Sequence, residues 1–172
     1  MNRRRNIYNL YSTKIILRPS KIILDAYLKK DTKSHIFTYD PLDEFEISAM
    51  FTLLGLFRPK SIIRLPVVSR PSYIAMPDFL FDSTPIEIKT PQSKRGIEGR
   101  IRASKEQLSR GGILVLNLDN YKESLIDISK VIEHYLTMHK IMTCLALRDN
   151  HLFCSFPTKS GRPSPIQAAV SH

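Results

Sequence analysis

The chain has 172 residues, 42% of them apolar, enough for one domain with a real core. Lysine and arginine number 26 against 16 aspartates and glutamates, a formal charge of +10 that favours a polyanionic partner: nucleic acid first, then an acidic protein, then a membrane surface. No run approaches the roughly 18 apolar residues of a membrane helix, no signal peptide is evident behind the basic N-terminus, and two cysteines make neither a disulfide framework nor a metal knuckle.

Residues 1–42 read as an N-terminal extension. Within it, IYNLYSTKIILRPS is extended up to Pro19, and KIILDAYLKK carries Ile22, Ile23, Ala26 and Leu28 near a helical period. Pro41 and Asp43 signal a helix start, and EFEISAMFTLLGLF follows as an amphipathic helix with Phe45, Ala49, Leu53 and Leu56 on its stripe and Gly55 near its end. SIIRLPVV is a strand with Pro66 at an edge or bulge. SYIAMPDFLF and TPIEIKT are two more strands, joined by a short turn at Asp82, Ser83, Thr84 and Pro85.

The segment 97–110 is a helix whose stripe is Ile97, Ile101, Ser104 and Leu108, stopped by Gly111 and Gly112. GILVLNL is apolar enough to be a strand covered on both faces. YKESLIDISKVIEHYLTMHK reads as a second long amphipathic helix. IMTCLAL and HLFCSF form a hairpin around Asp149 and Asn150, which brings Cys144 and Cys154 near each other as buried thiols or a disulfide. Residues 157–172, with three prolines beyond Phe156, read as a flexible tail. The order predicts an α/β fold: a mixed central β-sheet flanked by helices, with the strand after the basic helix parallel to a neighbour.

Chemistry concentrates in PDFLFDSTPIEIKTP. Eight residues separate Asp78 from Glu87, and alternation puts Glu87 and Lys89 on one strand face. In a hairpin, Asp78 and Glu87 converge at one end, and two close carboxylates repel unless a cation lies between them. Mg²⁺ suits such ligands, with Mn²⁺ or Zn²⁺ as alternatives. Lys89 would then orient water or stabilise phosphoryl charge. Glu46 is a third acid, with Asp43 and Glu44 as alternatives; all three are also ordinary dipole partners in a first helical turn.

Pro77-Asp78, then Glu87-Ile88-Lys89, resembles the PD-(D/E)xK nuclease signature, and the element order is similar to the restriction-endonuclease-like αβββαβ core. The resemblance implies Asp78 and Glu87 as metal ligands, Lys89 as the catalytic lysine and Glu46 as the helix-borne acid. EIKTP, a basic helix ending KEQLSRGG, and ILVLNLDN further resemble the C-terminal tRNA nuclease toxin domains of contact-dependent growth inhibition proteins, over residues 43–156. That likeness implies metal-dependent tRNA cleavage in the bacterial cytoplasm after delivery from a neighbouring cell as part of a larger secreted protein. It also implies a cognate immunity protein and a site role for Gln107.

Thr90 offers a hydroxyl to a phosphate or a metal-bound water, against the plain reading of a strand-end hydroxyl. Lys94, Arg95, Arg100, Arg102 and Lys105 form a basic stripe beside the acids, suited to phosphate binding and only partly neutralised by Glu98 and Glu106. His134 and His139, five apart, do not share an ion on a helix. No phosphate-binding glycine loop, nucleophile elbow or aromatic stacking platform is present. Two other readings compete: a DNA endonuclease of the same superfamily, acting in restriction, repair or transposition, and a non-catalytic nucleic-acid-binding domain.

Overall fold

The structure, a computed structural model, describes residues 13–70 and 73–157. It is a mixed α/β fold whose central seven-stranded sheet is flanked by helices. The strands are β1 (Lys14–Ile16), β2 (Ile36–Thr38), β3 (Ser61–Arg64), β4 (Val67–Arg70), β5 (Phe79–Phe81), β6 (Thr84–Lys89), β7 (Ile113–Asn117), β8 (Thr143–Arg148) and β9 (His151–Pro157). The helices are α1 (Lys21–Leu28), α2 (Glu44–Phe57), α3 (Lys94–Gln107) and α4 (Ile128–His139). The large sheet runs β1-β3-β5-β6-β7-β8-β9 and the small one pairs β2 with β4. Its centre, β6-β7-β8, is parallel, and the pairs β3-β5, β5-β6 and β8-β9 are antiparallel.

The expected order of helix, three strands, helix and strand is present as α2, β3, β5, β6, α3 and β7. α2 starts where the sequence signalled it. The Asp43 carboxylate accepts from Glu46 N at 2.7 Å and Glu46 Oε2 accepts from Asp43 N at 2.9 Å, a reciprocal cap that satisfies two orphan donors. The helix runs past Gly55 to Phe57, and its end is a left-handed Arg58 followed by Pro59, which cannot continue it. The segment expected as an extension contributes β1, parallel to β3, and α1, whose Leu24 and Leu28 pack with Leu65, Val68 and Leu80.

Two expectations are corrected. SIIRLPVV is not one strand. Pro66 has no N–H for the ladder, so the chain breaks into β3 and β4, and β4 leaves the large sheet to pair with β2. The helix expected over 121–140 begins only at Ile128, after Asp127 takes a left-handed conformation at φ 58°. Cys144 and Cys154 are both free, and burial pushes the Cys154 thiol up to about 11. The tail beyond Pro157 lies outside the described residues.

Strand alternation sorts the core into two layers. Ile86, Ile88, Ile113 and Val115 face α2, where they meet Ala49, Leu53 and Leu54. Leu114, Leu116, Cys144 and Ala146 face α3 and α4, where they meet Ile97, Ile101 and Ile132. Glu87 and Lys89 alternate with Ile86 and Ile88, and pair in register with Leu114 and Leu116, so they belong to the second face.

The loop after α3 closes tightly on β6. Gly112 has φ 130°, and a Cβ there would lie 2.5 Å from the Pro85 carbonyl oxygen. Gly112→Ala is expected to destabilise the fold by about 2 kcal/mol. Gly99, inside α3 with open space around it, should gain about 0.5–1 kcal/mol on replacement by Ala. Urea-unfolding midpoints moving in opposite directions would check the pair.

Candidate active site

The β5–β6 hairpin sets the site. Its two turn residues, Asp82 and Ser83, both have positive φ, the conformation that matches strand twist in a two-residue loop. The Asp82 carboxylate locks the turn by accepting from Lys60 N at 2.9 Å and Ser61 N at 2.8 Å. From that turn the antiparallel register runs Phe81 to Thr84, Leu80 to Pro85 and Phe79 to Ile86. One step further puts Asp78 across from Glu87. Residues so opposed hold their Cβ atoms about 4.5–5.5 Å apart.

Asp78 is held by main chain on both sides. Its carbonyl accepts from Leu65 N at 2.9 Å, and its Oδ2 accepts from Ile88 N at 2.7 Å. Burial nonetheless raises its pKa, and the Ile88 bond and the charges of Lys89 and Arg64 oppose that rise. Glu87 is 0% exposed. Burial first, and then the charge of Asp78, push its carboxyl up to about 8, against the pull of Lys89. Lys89, 17% exposed, pairs with Glu87 Oε1. The Asp78 N–H opposes the rise as well, and Glu87 Oε2 has no well-formed hydrogen bond among the described residues.

Glu46 lies within the field of Asp78. Burial raises its pKa, the Asp43 N–H opposes the rise, and Asp78 adds to it. Its carboxylate is also engaged as the cap of α2, so the helix-start role and proximity to Asp78 coexist in one side chain. Among the described residues no group of three or more His, Cys, Asp or Glu forms a ready metal cluster. What the fold brings together is the carboxylate pair with Lys89.

Thr90 follows β6 and is half-buried, with no hydrogen bond from its hydroxyl among the described residues. Lys94, Arg95, Arg100, Arg102 and Lys105 are all exposed on α3, and none of their side chains makes an ion pair among the described residues. Lys94 and Arg95 open the helix, five and six residues beyond Lys89. Gln107 is not brought to Lys89. Because β7 runs parallel to β6, α3 must return antiparallel to them, and its 14 residues carry Gln107 about 20 Å from Lys94. The close approach of Gly112 to Pro85 places this end by the start of β6.

Two residues were not apparent from the chain alone. Asn117, 1% exposed, ends β7; its Nδ2 donates to Phe45 O at 3.0 Å and its Oδ1 accepts from Asp119 N at 2.9 Å. It joins the first turn of α2 to the sheet and so sets where Glu46 sits. The polar interruption of ILVLNL was the signal for it. Arg64, the polar end of SIIRL, is the second, and its charge reaches both Asp78 and Glu46.

No protein-family model matches the chain, and no curated protein matches it. Among solved structures, the chain is similar to one described as "CdiA-CT/CdiI toxin and immunity complex from Burkholderia pseudomallei", at 16% identity and a TM-score of 0.44 over 84% of this chain and 98% of that one. A likeness of that degree does not bear on function.

Glu87 titrates at about 8 in the fold against 4.5 ordinarily. Between those values the folded state keeps a proton that the unfolded state has released, so the group's contribution to stability falls as pH rises. Asp78, also raised, acts with the same sign. With chelator present, the wild type is expected to lose stability from pH 5 to pH 8, and Glu87→Gln to lose less. Urea midpoints at about those two pH values check this, and equal slopes in both proteins would contradict it.

Proposed function

We propose that this chain is a metal-dependent endonuclease that hydrolyses phosphodiester bonds, cutting tRNA as a toxin domain in bacterial competition. The observation that supports the nuclease reading best is the opposition of Asp78 and Glu87 across β5 and β6, with Lys89 on the same strand face as Glu87. The tRNA and toxin parts rest on the sequence resemblance over residues 43–156. A cognate immunity protein and action in the cytoplasm of a neighbouring bacterium belong to the same reading.

The donor set fits a Mg²⁺-class ion. Such ions take one or two carboxylates and keep several waters, and here two adjacent carboxylates repel while Glu87 Oε2 has no well-formed hydrogen bond among the described residues. Asp78 and Glu87 would hold the ion, which supplies a water of lowered pKa and polarises a phosphoryl oxygen when bound. The Lys89 ammonium, beside Glu87 and largely shielded from solvent, stabilises charge on the phosphoryl oxygens. Lys94 and Arg95, at the end of α3 near Lys89, and Arg100, Arg102 and Lys105 along it, hold the nucleic-acid backbone.

The test incubates the full chain with total bacterial tRNA and, separately, duplex DNA, with Mg²⁺, Mn²⁺ or Zn²⁺ and with chelator. Discrete tRNA fragments that vanish with chelator and in Glu87→Gln are expected. Full activity in that variant would sink the site assignment, and cleavage of DNA alone would move the substrate to duplex. In the Glu87→Gln background, replacing both Arg95 and Arg102 by Gln should weaken tRNA binding. It should also flatten the dependence of log affinity on log salt by about 0.7–0.9 for each phosphate no longer neutralised. An unchanged slope would place the phosphates elsewhere on the surface.

A further inference from the structure

Arg64 is a half-buried cation at the Asp78 end of the sheet that the chemistry above leaves without a task. It closes β3 opposite Phe79, and its neighbour Leu65 donates to the Asp78 carbonyl at 2.9 Å. Paired with Phe79, Arg64 leaves β3 on the α2 face, the side of Glu46, whereas Glu87 and Lys89 belong to the opposite face. The guanidinium donates through Nη2 to the Asp40 carbonyl and lies over the Tyr39 ring, 5.7 Å from its centroid.

An arginine placed beside two acids for stability alone would close a two-pronged pair with one of them. Arg64 makes no such pair with Asp78, Glu46 or any other acid among the described residues. Yet its charge is felt by both Asp78 and Glu46. Tyr39 and Asp40 hold it short of the carboxylates, with one donor used on a neutral carbonyl and the others free among the described residues. A fork of N–H donors so held matches two oxygens of a phosphate group.

We propose that Arg64 is a phosphate-holding residue of this site, and that its guanidinium takes a non-bridging oxygen of a nucleic-acid strand lying across the ends of β3, β5 and β6. Tyr39 and the Asp40 carbonyl are its positioning groups. This rests on the nuclease reading, and adds a second cation beside Asp78, on the side of Glu46.

The experiment uses the full chain and total bacterial tRNA. Wild-type cleavage in Mg²⁺ is measured first; no cleavage of tRNA or DNA removes the nuclease reading and this proposal with it. Binding is then measured in the Glu87→Gln background, in chelator, over a range of salt. Adding Arg64→Gln is expected to weaken binding about tenfold and to flatten the salt slope by about 0.7–0.9. A residue that only ties down the Tyr39 loop would lower the melting temperature and leave the slope alone, and that result overturns the proposal. Arg64→Lys, which keeps the charge and loses the fork, should keep the slope while cleaving about tenfold more slowly. If the Gln variant fails to unfold cooperatively, the Lys variant decides, and wild-type cleavage by it overturns the proposal.

Discussion

Two acidic side chains come close together, Asp78 just ahead of β5 and Glu87 in β6, and Glu87 is wholly buried in the middle of the sheet. This arrangement opposes folding twice, through desolvation of charge and through like-charge repulsion. The surroundings offset it only in part: Ile88 N–H binds Asp78, and Lys89 pairs with Glu87. Apolar residues of similar volume would serve stability better at such a position. A raised pKa on a buried carboxyl, with one oxygen lacking a well-formed hydrogen bond among the described residues, is a pattern that clusters at binding and catalytic sites.

The rest of the fold holds that opposition in register. A two-residue turn, pinned by Asp82 to the start of β3, sets the pairing of β5 with β6. A slip of one residue would turn Glu87 toward α2 and Ile86 and Ile88 away from it, exchanging an apolar face for a charged one. The hydrophobic layers on both faces therefore enforce the geometry of the acids. Asn117, bonded to Phe45 O, then fixes the start of α2 against the end of β7, and the parallel crossover from β6 to β7 starts α3, with Lys94 and Arg95, at the same strand end.

Local patterns survived into the structure where their physics is local. The cap of α2 was legible in Asp43 and Glu46 because a capping box needs only residues three apart. The β8–β9 hairpin was legible in Asp149 and Asn150, both of which take positive φ. β7 was legible as a continuous apolar run because it is covered on both faces. Apolar periodicity misled over 121–127, where it continued but the backbone did not: Asp127 turns left-handed and α4 begins after it. The split between β3 and β4 was marked by Pro66, yet which sheet each half would join depends on β2, some thirty residues earlier, and no local pattern contains that.

By itself the sequence determined the identities and spacing of Asp78, Glu87 and Lys89, the strand alternation that puts the last two on one face, and the basic character of the helix that follows. Those follow from short-range chemistry: turn residues, caps and the two-residue period of a strand. Only the tertiary structure decided that Glu87 is fully buried, that Gln107 ends up away from Lys89, and that Arg64 comes within reach of Asp78 and Glu46 without pairing with either. Burial and cross-strand proximity are properties of which elements pack together, and those pairings join residues too far apart along the chain for any local pattern to specify.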